Sequence, residues 1–272
     1  MKTIIKLILI YLGFQLLAGC IVAPIMFLAK GPHVETYMLG TTLCLGSIFL
    51  AWYLFAKKYI HIDKRTWSIC SIGILILTIL LGFGFYFFAG GINEMIGLPN
   101  LMEDQFSDLS TNIAGILGIV VIGPIAEELL FRGAILGLLL KKKNLNPSYA
   151  ILISALIFGI IHFNPAQILY AFLLGLFLGR LYYQSGSLLL CMLVHVILNS
   201  FSTLLMICYP EADTIEEMGI PVQLTLLIVI GAAFTIVCSY FLNRLLKELP
   251  RLTPDEGNDD EQDNAINKES KE

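Results

Sequence analysis

Residues 112–140, NIAGILGIVVIGPIAEELLFRGAILGLLL, decide the fold of this protein because they are long and apolar enough to cross a bilayer as one helix. A hydrocarbon core of about 30 Å needs about 20 apolar residues of α-helix. The middle of the stretch nevertheless carries Glu127, Glu128 and Arg132, and a charge inside a membrane costs about 2.5–3.5 kcal/mol on insertion scales. We therefore expect these three side chains to face other helices or a water-filled cavity.

The composition of the whole chain also indicates a membrane protein. Of its 272 residues, 57% are hydrophobic and 14% are charged, and the mean hydropathy is +0.81. An ordinary soluble domain is about 45–50% apolar and about 25% charged. Of the 17 basic and 21 acidic residues, 14 lie from Arg244 onward, so the first 243 positions are poor in charge. This pattern excludes a soluble enzyme, a disordered chain and a nucleic-acid binder, which would need a basic patch.

Eight apolar stretches are long enough to be spans, which predicts an all-α, polytopic membrane protein of about eight transmembrane helices. They cover roughly residues 4–29, 36–56, 67–89, 112–140, 148–163, 168–183, 187–208 and 221–243. The fifth and sixth are short and are joined tightly by Asn164-Pro165. We expect residues 1–250 to form a single transmembrane domain. Residues 251–272 have no apolar periodicity and are expected to be a disordered acidic tail.

Basic residues in the loops predict the orientation, because they concentrate on the cytoplasmic side. With eight spans, one side receives Lys2, Lys6, Lys57, Lys58, Lys64, Arg65, Lys141, Lys142, Lys143, Arg180, Arg244, Lys247 and Arg251. The other side receives Lys30 with Glu94, Glu103, Asp104, Asp108, Glu211, Asp213, Glu216 and Glu217. We therefore expect both termini to be cytoplasmic.

The first span allows a second interpretation. Leu17–Cys20 (LAGC) follows two lysines and an apolar stretch, and it is similar to a lipoprotein signal with its lipidated cysteine. The apolar run continues to Leu28, however, where a mature lipoprotein usually turns polar. An ordinary first helix is favoured, and the later spans keep the same orientation in either case.

Two histidines also lie inside predicted spans. They add to the polar residues Glu127, Glu128 and Arg132 of the fourth span. His162 is in the fifth span, one turn after Phe158, whose packing is expected to orient the imidazole ring. His195 and Asn199 share one face of the seventh span. Two embedded histidines together with an embedded Glu pair predict a joint site between helices four, five and seven. His33 and His61 lie in loops and are not expected to contribute.

This set supports two routes to amide hydrolysis, and both remain open. Glu127, His162 and His195 form a three-ligand Zn²⁺ set that leaves a fourth position for water, whose pKa the metal would lower. Glu128 would then be the general base and Asn199 an oxyanion donor. Without a metal, Glu127 and His162 would activate water together. His195 and Asn199 would then stabilise the oxyanion.

The fourth span contains two further local features. Glu128 and Arg132 are four residues apart and are expected to pair on one helical face, and a purely structural ion pair is an alternative explanation for them. Gly123-Pro124 is expected to kink the helix and to free backbone groups beside the site. Ser187 is expected to cap the seventh span and not to act as a nucleophile.

The three motifs together resemble the CAAX protease and bacteriocin-processing (CPBP) family, whose prototype is the type II CAAX prenyl endopeptidase. Members carry Glu-Glu-x-x-x-Arg, Phe-x-x-x-His and His-x-x-x-Asn or Asp on three transmembrane helices. The matching residues here are Glu127-Glu128 with Arg132, Phe158 with His162, and His195 with Asn199. The resemblance covers about residues 115–203, which are the expected catalytic core.

The resemblance implies an intramembrane endopeptidase of a family that is classed as metalloproteases, with Zn²⁺ or another divalent metal as the expected cofactor. It gives water activation to Glu127 and His162 and the oxyanion hole to His195 and Asn199. Glu128 and Arg132, the remaining residues of the first motif, would assist catalysis or support the structure of the site. The partners would be the lipid bilayer and a peptide or membrane-protein substrate. The short chain is more similar to the bacterial branch, which implies a bacterial cell membrane and a role in peptide pheromone or bacteriocin processing or self-immunity.

Two other classes of function remain open. A non-catalytic membrane adaptor could keep the same pocket and bind a peptide or a sensor partner, since fold and motifs do not guarantee turnover. An adaptor should tolerate Glu127→Gln, whereas a protease should not. A transporter could use embedded carboxylates and histidines to relay protons, but the sequence has no matching inverted half-repeats.

Overall fold

The computed structural model describes residues 1–28, 34–60, 62–210, 212, 214–215, 217–219 and 222–247. The predicted acidic tail, residues 251–272, lies outside the described residues. The same is true of several loop positions named above, which are Lys30, His33, His61, Glu211, Asp213 and Glu216.

Regular structure in the described ranges is entirely helical, which confirms the predicted all-α class. The helices are α1 (Lys2–Leu28), α2 (Val34–Ala56), α3 (Ile72–Ile96), α4 (Glu103–Ser110), α5 (Ile113–Leu140), α6 (Pro147–Ile160), α7 (Pro165–Ser185), α8 (Leu188–Cys208) and α9 (Leu224–Leu246). Within this part of the chain, seven helices are long and apolar enough to cross a membrane, namely all except α4 and α6. The chain is therefore a polytopic membrane protein. Helix α1 runs through Leu17–Cys20 without a break.

Helix α6, the predicted fifth span, is shorter than expected. Its 14 residues extend about 21 Å, less than a bilayer core of about 30 Å. Asn146 caps its start by accepting a hydrogen bond from the Ser148 amide (2.9 Å), and Phe163 leaves the helical region with a φ of 53°. The prediction that His162 lies inside a span is therefore wrong, because it lies in the turn between α6 and α7.

The third span also differs from its predicted limits of 67–89. Helix α3 begins at Ile72 because the Ser71 side chain accepts a hydrogen bond from the Ile74 amide (3.2 Å) and so caps the helix. It continues to Ile96, through residues too polar to be included in an apolar stretch. Helix α4 was missed altogether, because a short acidic helix gives no apolar run of membrane length.

Hydrogen bonds between a loop and the ends of helices define one end of the bundle. Arg65 Nε donates to the Ser185 carbonyl (2.9 Å), which joins the α2–α3 loop to the α7–α8 turn. Gln184 donates to Asn243 near the end of α9 (2.7 Å). Partial burial, and then the charge of Lys142, lower the pKa of the amino group at the N terminus, which lies beside the α5–α6 loop. The starts of α1 and α3 and the end of α9 therefore share this end.

The opposite end lies beyond the last turn of α3, a helix of 25 residues that extends about 37 Å. Asn164, in the α6–α7 turn, donates to Asn100 Oδ1 (2.8 Å) and accepts from the Leu101 amide (3.0 Å). Glu94 accepts from the Ile215 amide in the α8–α9 loop (3.2 Å). Apart from Asp63 in the α2–α3 loop, the described acidic loop residues lie at this end, whereas the basic ones lie at the other. Short α6 therefore returns the chain from the basic end to the acidic end.

Helix α5 is the central element of the bundle. Its segment Leu129–Leu136 is buried on every side, with α2, α6, α7 and α8 around it. Glycines let the helices approach closely, as is common in membranes where small residues line helix interfaces. A Cβ atom on Gly175 of α7 would lie 2.9 Å from Ala155 of α6. This packing brings α6, α7 and α8 against the charged residues of α5.

Candidate active site

The Glu pair lies between two π-helical segments of α5, Leu117–Ile122 and Leu129–Leu136. At the end of the first segment, the Gly123 amide donates to the Gly118 carbonyl, five residues back instead of four. A Cβ atom at position 123 would lie 2.5 Å from that carbonyl oxygen, so this turn requires glycine. Pro124 follows and has no N–H to donate. The helix therefore departs from α-helical geometry where the sequence predicted a kink, and π-bulges are frequent at functional sites.

A buried chain of charged and polar groups runs from α5 to α8. Arg132 Nη1 donates to Glu128 Oε1 (2.7 Å), and His195 Nδ1 lies 2.8 Å from the same oxygen. All three side chains are at most 3% exposed. Because a carboxylate paired with arginine only accepts hydrogen bonds, the imidazole proton lies on Nδ1. The predicted pair of Glu128 and Arg132 is present, and it fixes the orientation of His195.

Glu127 faces the free nitrogen of the same imidazole. Its Oε2 lies 3.8 Å from His195 Nε2, and its side chain is 20% exposed. This distance is too long for a direct hydrogen bond, and it fits a water molecule that contacts both groups. Glu127 is therefore the solvent-accessible carboxylate of the pair, while Glu128 is the buried one.

Phe158 of α6 packs against the charged chain and against both histidines. The Arg132 guanidinium carbon lies 4.6 Å from the centre of its ring. The rings of His162 and His195 meet the Phe158 ring edge-on, with centroids 5.1 and 6.1 Å away. Arg132 Nη2 also reaches the Gly175 carbonyl of α7 (3.5 Å). Four helices thus hold this group of side chains in place.

His162 occupies a separate position in this arrangement. Its Nδ1 lies 2.7 Å from the Phe158 carbonyl, a hydrogen bond that fixes the ring in the turn after α6. Within the described chain, no hydrogen bond or ion pair joins His162 to Glu127 or His195. The structure therefore brings His195 directly to the Glu pair, and it connects His162 to them through Phe158.

Asn199, one turn after His195 on α8, also contacts α5. Its Nδ2 donates to the Ile119 carbonyl in the first π-helical segment (2.9 Å). The predicted oxyanion role would therefore rest on the second N–H of this amide.

The fit to a metal ion is incomplete in this arrangement. Among the described residues, no group of three or more His, Cys, Asp or Glu side chains could hold a metal ion. Glu127 and His195, two of the three predicted Zn²⁺ ligands, face each other, but His162 does not join them. The residues as placed do not complete the expected ligand set, and the metal stays a prediction.

Several contacts at the site were not predicted. The sequence predicted Asn164 only as part of the tight connection between the fifth and sixth spans. An Asn before a Pro that starts a helix is nevertheless a recognisable turn signal. Nothing in the sequence indicates that the Gly175 carbonyl accepts a hydrogen bond from Arg132. Ser187 accepts from the Leu190 amide (3.0 Å) and donates to the Ser68 carbonyl, so it caps α8 as predicted.

The region that carries the three motifs is similar to known proteins. The family model described as type II CAAX prenyl endopeptidase Rce1-like matches residues 109–201. A protein of Bacillus subtilis (strain 168), "Putative membrane peptidase YdiL", is 31% identical over 172 residues, which are 60% of this chain and 68% of that protein. No solved structure is significantly similar to the chain.

Proposed function

The chain belongs to the type II CAAX prenyl endopeptidase Rce1-like family, and from this premise we propose that it is an intramembrane endopeptidase. Its substrate would be a membrane-associated peptide or protein in which it hydrolyses a peptide bond. One observation carries the proposal: the buried chain from Arg132 through Glu128 to His195 directs an imidazole nitrogen at the accessible carboxylate of Glu127.

In the proposed reaction, Glu127 is the general base. It takes a proton from a water molecule, and the water oxygen attacks the carbonyl carbon of the scissile peptide. When the C–N bond of the tetrahedral intermediate breaks, the same proton passes to the leaving nitrogen. A low-dielectric, water-poor surrounding strengthens the electrostatic interactions of this step.

The two histidines divide the remaining roles. His195 lies beside Glu127 and is held by Glu128, much as a second carboxylate orients a catalytic or metal-bound imidazole. This geometry favours His195 as the partner of Glu127 in water activation, whereas the family resemblance gives that role to His162. His162 contacts Phe158 from the α6–α7 turn, and in this proposal it would contact the substrate or the oxyanion.

The biological setting follows from the resemblance alone. We propose a bacterial cell membrane, cytoplasmic termini, and a role in peptide pheromone or bacteriocin processing or self-immunity. A divalent metal such as Zn²⁺ is part of the family expectation, with Glu127, His162 and His195 as its ligands. These three residues do not form that ligand set in the described chain, so no step of the proposed reaction uses the metal.

The test is peptide cleavage by the purified protein in liposomes, measured on a library of quenched fluorescent peptides. We expect Glu127→Gln to abolish cleavage and Glu35→Gln, the same change at an exposed position at the start of α2, to leave it unchanged. Addition of a chelator separates the two routes, since only a metal-dependent enzyme loses activity.

Two outcomes would contradict the proposal. Folded wild-type protein that cleaves no peptide, or a Glu127→Gln variant as active as wild type, would favour the membrane adaptor. The same assay on His162→Ala and His195→Ala decides between the histidines. A larger loss of kcat for His195→Ala supports the pairing seen in the structure, and the reverse supports the roles implied by the resemblance.

A further inference from the structure

The carbonyl of Ile119 has no backbone donor four or five residues further along α5. In an α-helix it would accept from residue 123, but the Gly123 amide donates to the Gly118 carbonyl instead. In the π-helical pattern it would accept from residue 124, and Pro124 has no N–H. A carbonyl without a partner inside a membrane is costly, so a group from outside the helix must satisfy it.

Asn199 supplies that group from α8. Its amide nitrogen donates to the Ile119 carbonyl at 2.9 Å, a distance typical of a good hydrogen bond. Helix α8 packs against the first π-helical segment and against the turn that carries the Glu pair. The hydrogen bond therefore forms at the point where Pro124 interrupts the backbone pattern of α5.

The two polar contacts of α8 lie on opposite sides of this interruption. Asn199 contacts Ile119, five residues before Pro124, and His195 contacts Glu128, four residues after it. Since the two α8 residues are one helical turn apart on the same face, one short stretch of α8 contacts α5 on both sides of the interruption. Glu127 lies between the two contacts along α5.

We propose that Asn199 is a positioning residue that satisfies the Ile119 carbonyl left free by Pro124 and thereby sets the bend of α5 and the direction of Glu127. Its effect on activity rests on the proposed function, but its effect on the helix does not. The proposal differs from a role as oxyanion donor, because it rests on the N–H that Asn199 donates to the backbone, whereas an oxyanion would accept from the second N–H of the amide.

A double-mutant cycle with Pro124 tests the proposal. In Pro124→Ala, residue 124 regains an N–H in line with the preceding π-helical hydrogen bonds, so the Ile119 carbonyl can be satisfied within α5. The four proteins are wild type, Asn199→Ala, Pro124→Ala and the double variant. For each we would measure the melting temperature in detergent, and kcat and KM on a peptide that the wild type cleaves.

We expect Asn199→Ala in the natural background to lower kcat about tenfold to hundredfold, because a small displacement of a catalytic group has effects of this size. KM should change little. The melting temperature should fall by about 3–8 °C, because a carbonyl loses its partner. In the Pro124→Ala background both effects of Asn199→Ala should become much smaller, with a fall in kcat of about threefold or less.

Equal effects of Asn199→Ala in both backgrounds, on kcat and on the melting temperature, would overturn the proposal and favour an oxyanion donor. If Pro124→Ala is itself inactive, or if the wild type cleaves no peptide, the melting temperatures alone decide. Coupling between the two positions then supports the positioning role, and its absence refutes it, whatever the fate of the proposed function. Ser200→Ala is the matched control, because within the described chain this exposed hydroxyl donates to the Val196 carbonyl of its own helix.

Discussion

At the scale of single residues, Arg132 is a positive charge buried in the interior of the site. It is 1% exposed, its guanidinium bonds to Glu128 and the Gly175 carbonyl, and it lies over the Phe158 ring. A buried ion pair gains little over apolar residues of the same size, but removal of one partner leaves the other charge without compensation. The pair is therefore better explained as a device that orients His195 than as a source of stability.

A substitution of Arg132 tests this account. We expect Arg132→Met to lower the free energy of unfolding by about 3–5 kcal/mol, because Glu128 would remain buried with His195 as its partner. Arg180→Met is the matched control, since Arg180 is exposed at the α7 end. Urea unfolding in detergent, followed by tryptophan fluorescence, measures both. Equal stability of Arg132→Met and wild type would contradict the account.

At the scale of elements, the α6–α7 turn positions His162. Asn164 is completely buried, and its amide joins this turn to Asn100 and Leu101 after α3. The turn needs such support because Phe163 adopts a left-handed backbone conformation, which is unfavourable for a bulky residue. The loop after α3 therefore belongs to the site, although it carries none of the three motifs.

Loss of this contact should reduce both stability and activity. Asn164→Ala removes two hydrogen bonds and leaves the Leu101 amide without its acceptor, so we expect a loss of about 1–3 kcal/mol in unfolding free energy. We also expect a lower kcat, since His162 is two residues away. Asn100→Ala, at an exposed residue, removes one of these bonds and a longer contact from the Met102 amide (3.4 Å), and it should have a smaller effect on both quantities. Wild-type kcat in Asn164→Ala would show that the turn does not position His162.

At the scale of the whole molecule, the topology of the helices agrees with the distribution of basic residues. The Met1 amino group lies beside Lys142, and Asn243 near the end of α9 bonds to Gln184, so the start of α1 and the end of α9 lie at the basic end of the bundle. The positive-inside rule predicts that this end faces the cytoplasm. The acidic end, which carries the α6–α7 turn, would then face the opposite side.

Reporter fusions can test this orientation. We expect green fluorescent protein to fluoresce when fused after Lys143 or after Lys247. Alkaline phosphatase should be active when fused after Ala212, in the α8–α9 loop. Each reporter is inserted into the full-length chain, and wild-type peptide cleavage by each fusion is the control for correct folding. The opposite pattern would reverse the orientation, and reporters on opposite sides for Lys143 and Lys247 would contradict the shared end.

Features that depend on neighbours along the chain were predictable from the sequence. Seven of the eight predicted spans correspond to helices of membrane length in the described chain, and the Glu128–Arg132 pair followed from their spacing of four on a helix. The cap at Ser187 and the departure from α-helical hydrogen bonding at Gly123-Pro124 followed from local backbone chemistry. These predictions succeeded because each depends on the helical repeat or on one missing N–H, and neither needs knowledge of the other helices.

Contacts between helices were decided by the tertiary structure alone. The sequence joined Glu127 to both histidines, but only His195, 68 residues away, faces it directly, while His162 lies beyond the end of a helix that proved too short. Likewise, the pairing of Asn199 with the Ile119 carbonyl depends on how α8 crosses the first π-helical segment of α5. Helix ends, tilts and bends set these distances, and they result from packing between distant segments. Sequence spacing therefore determined which groups are available for chemistry, and tertiary packing determined which of them meet.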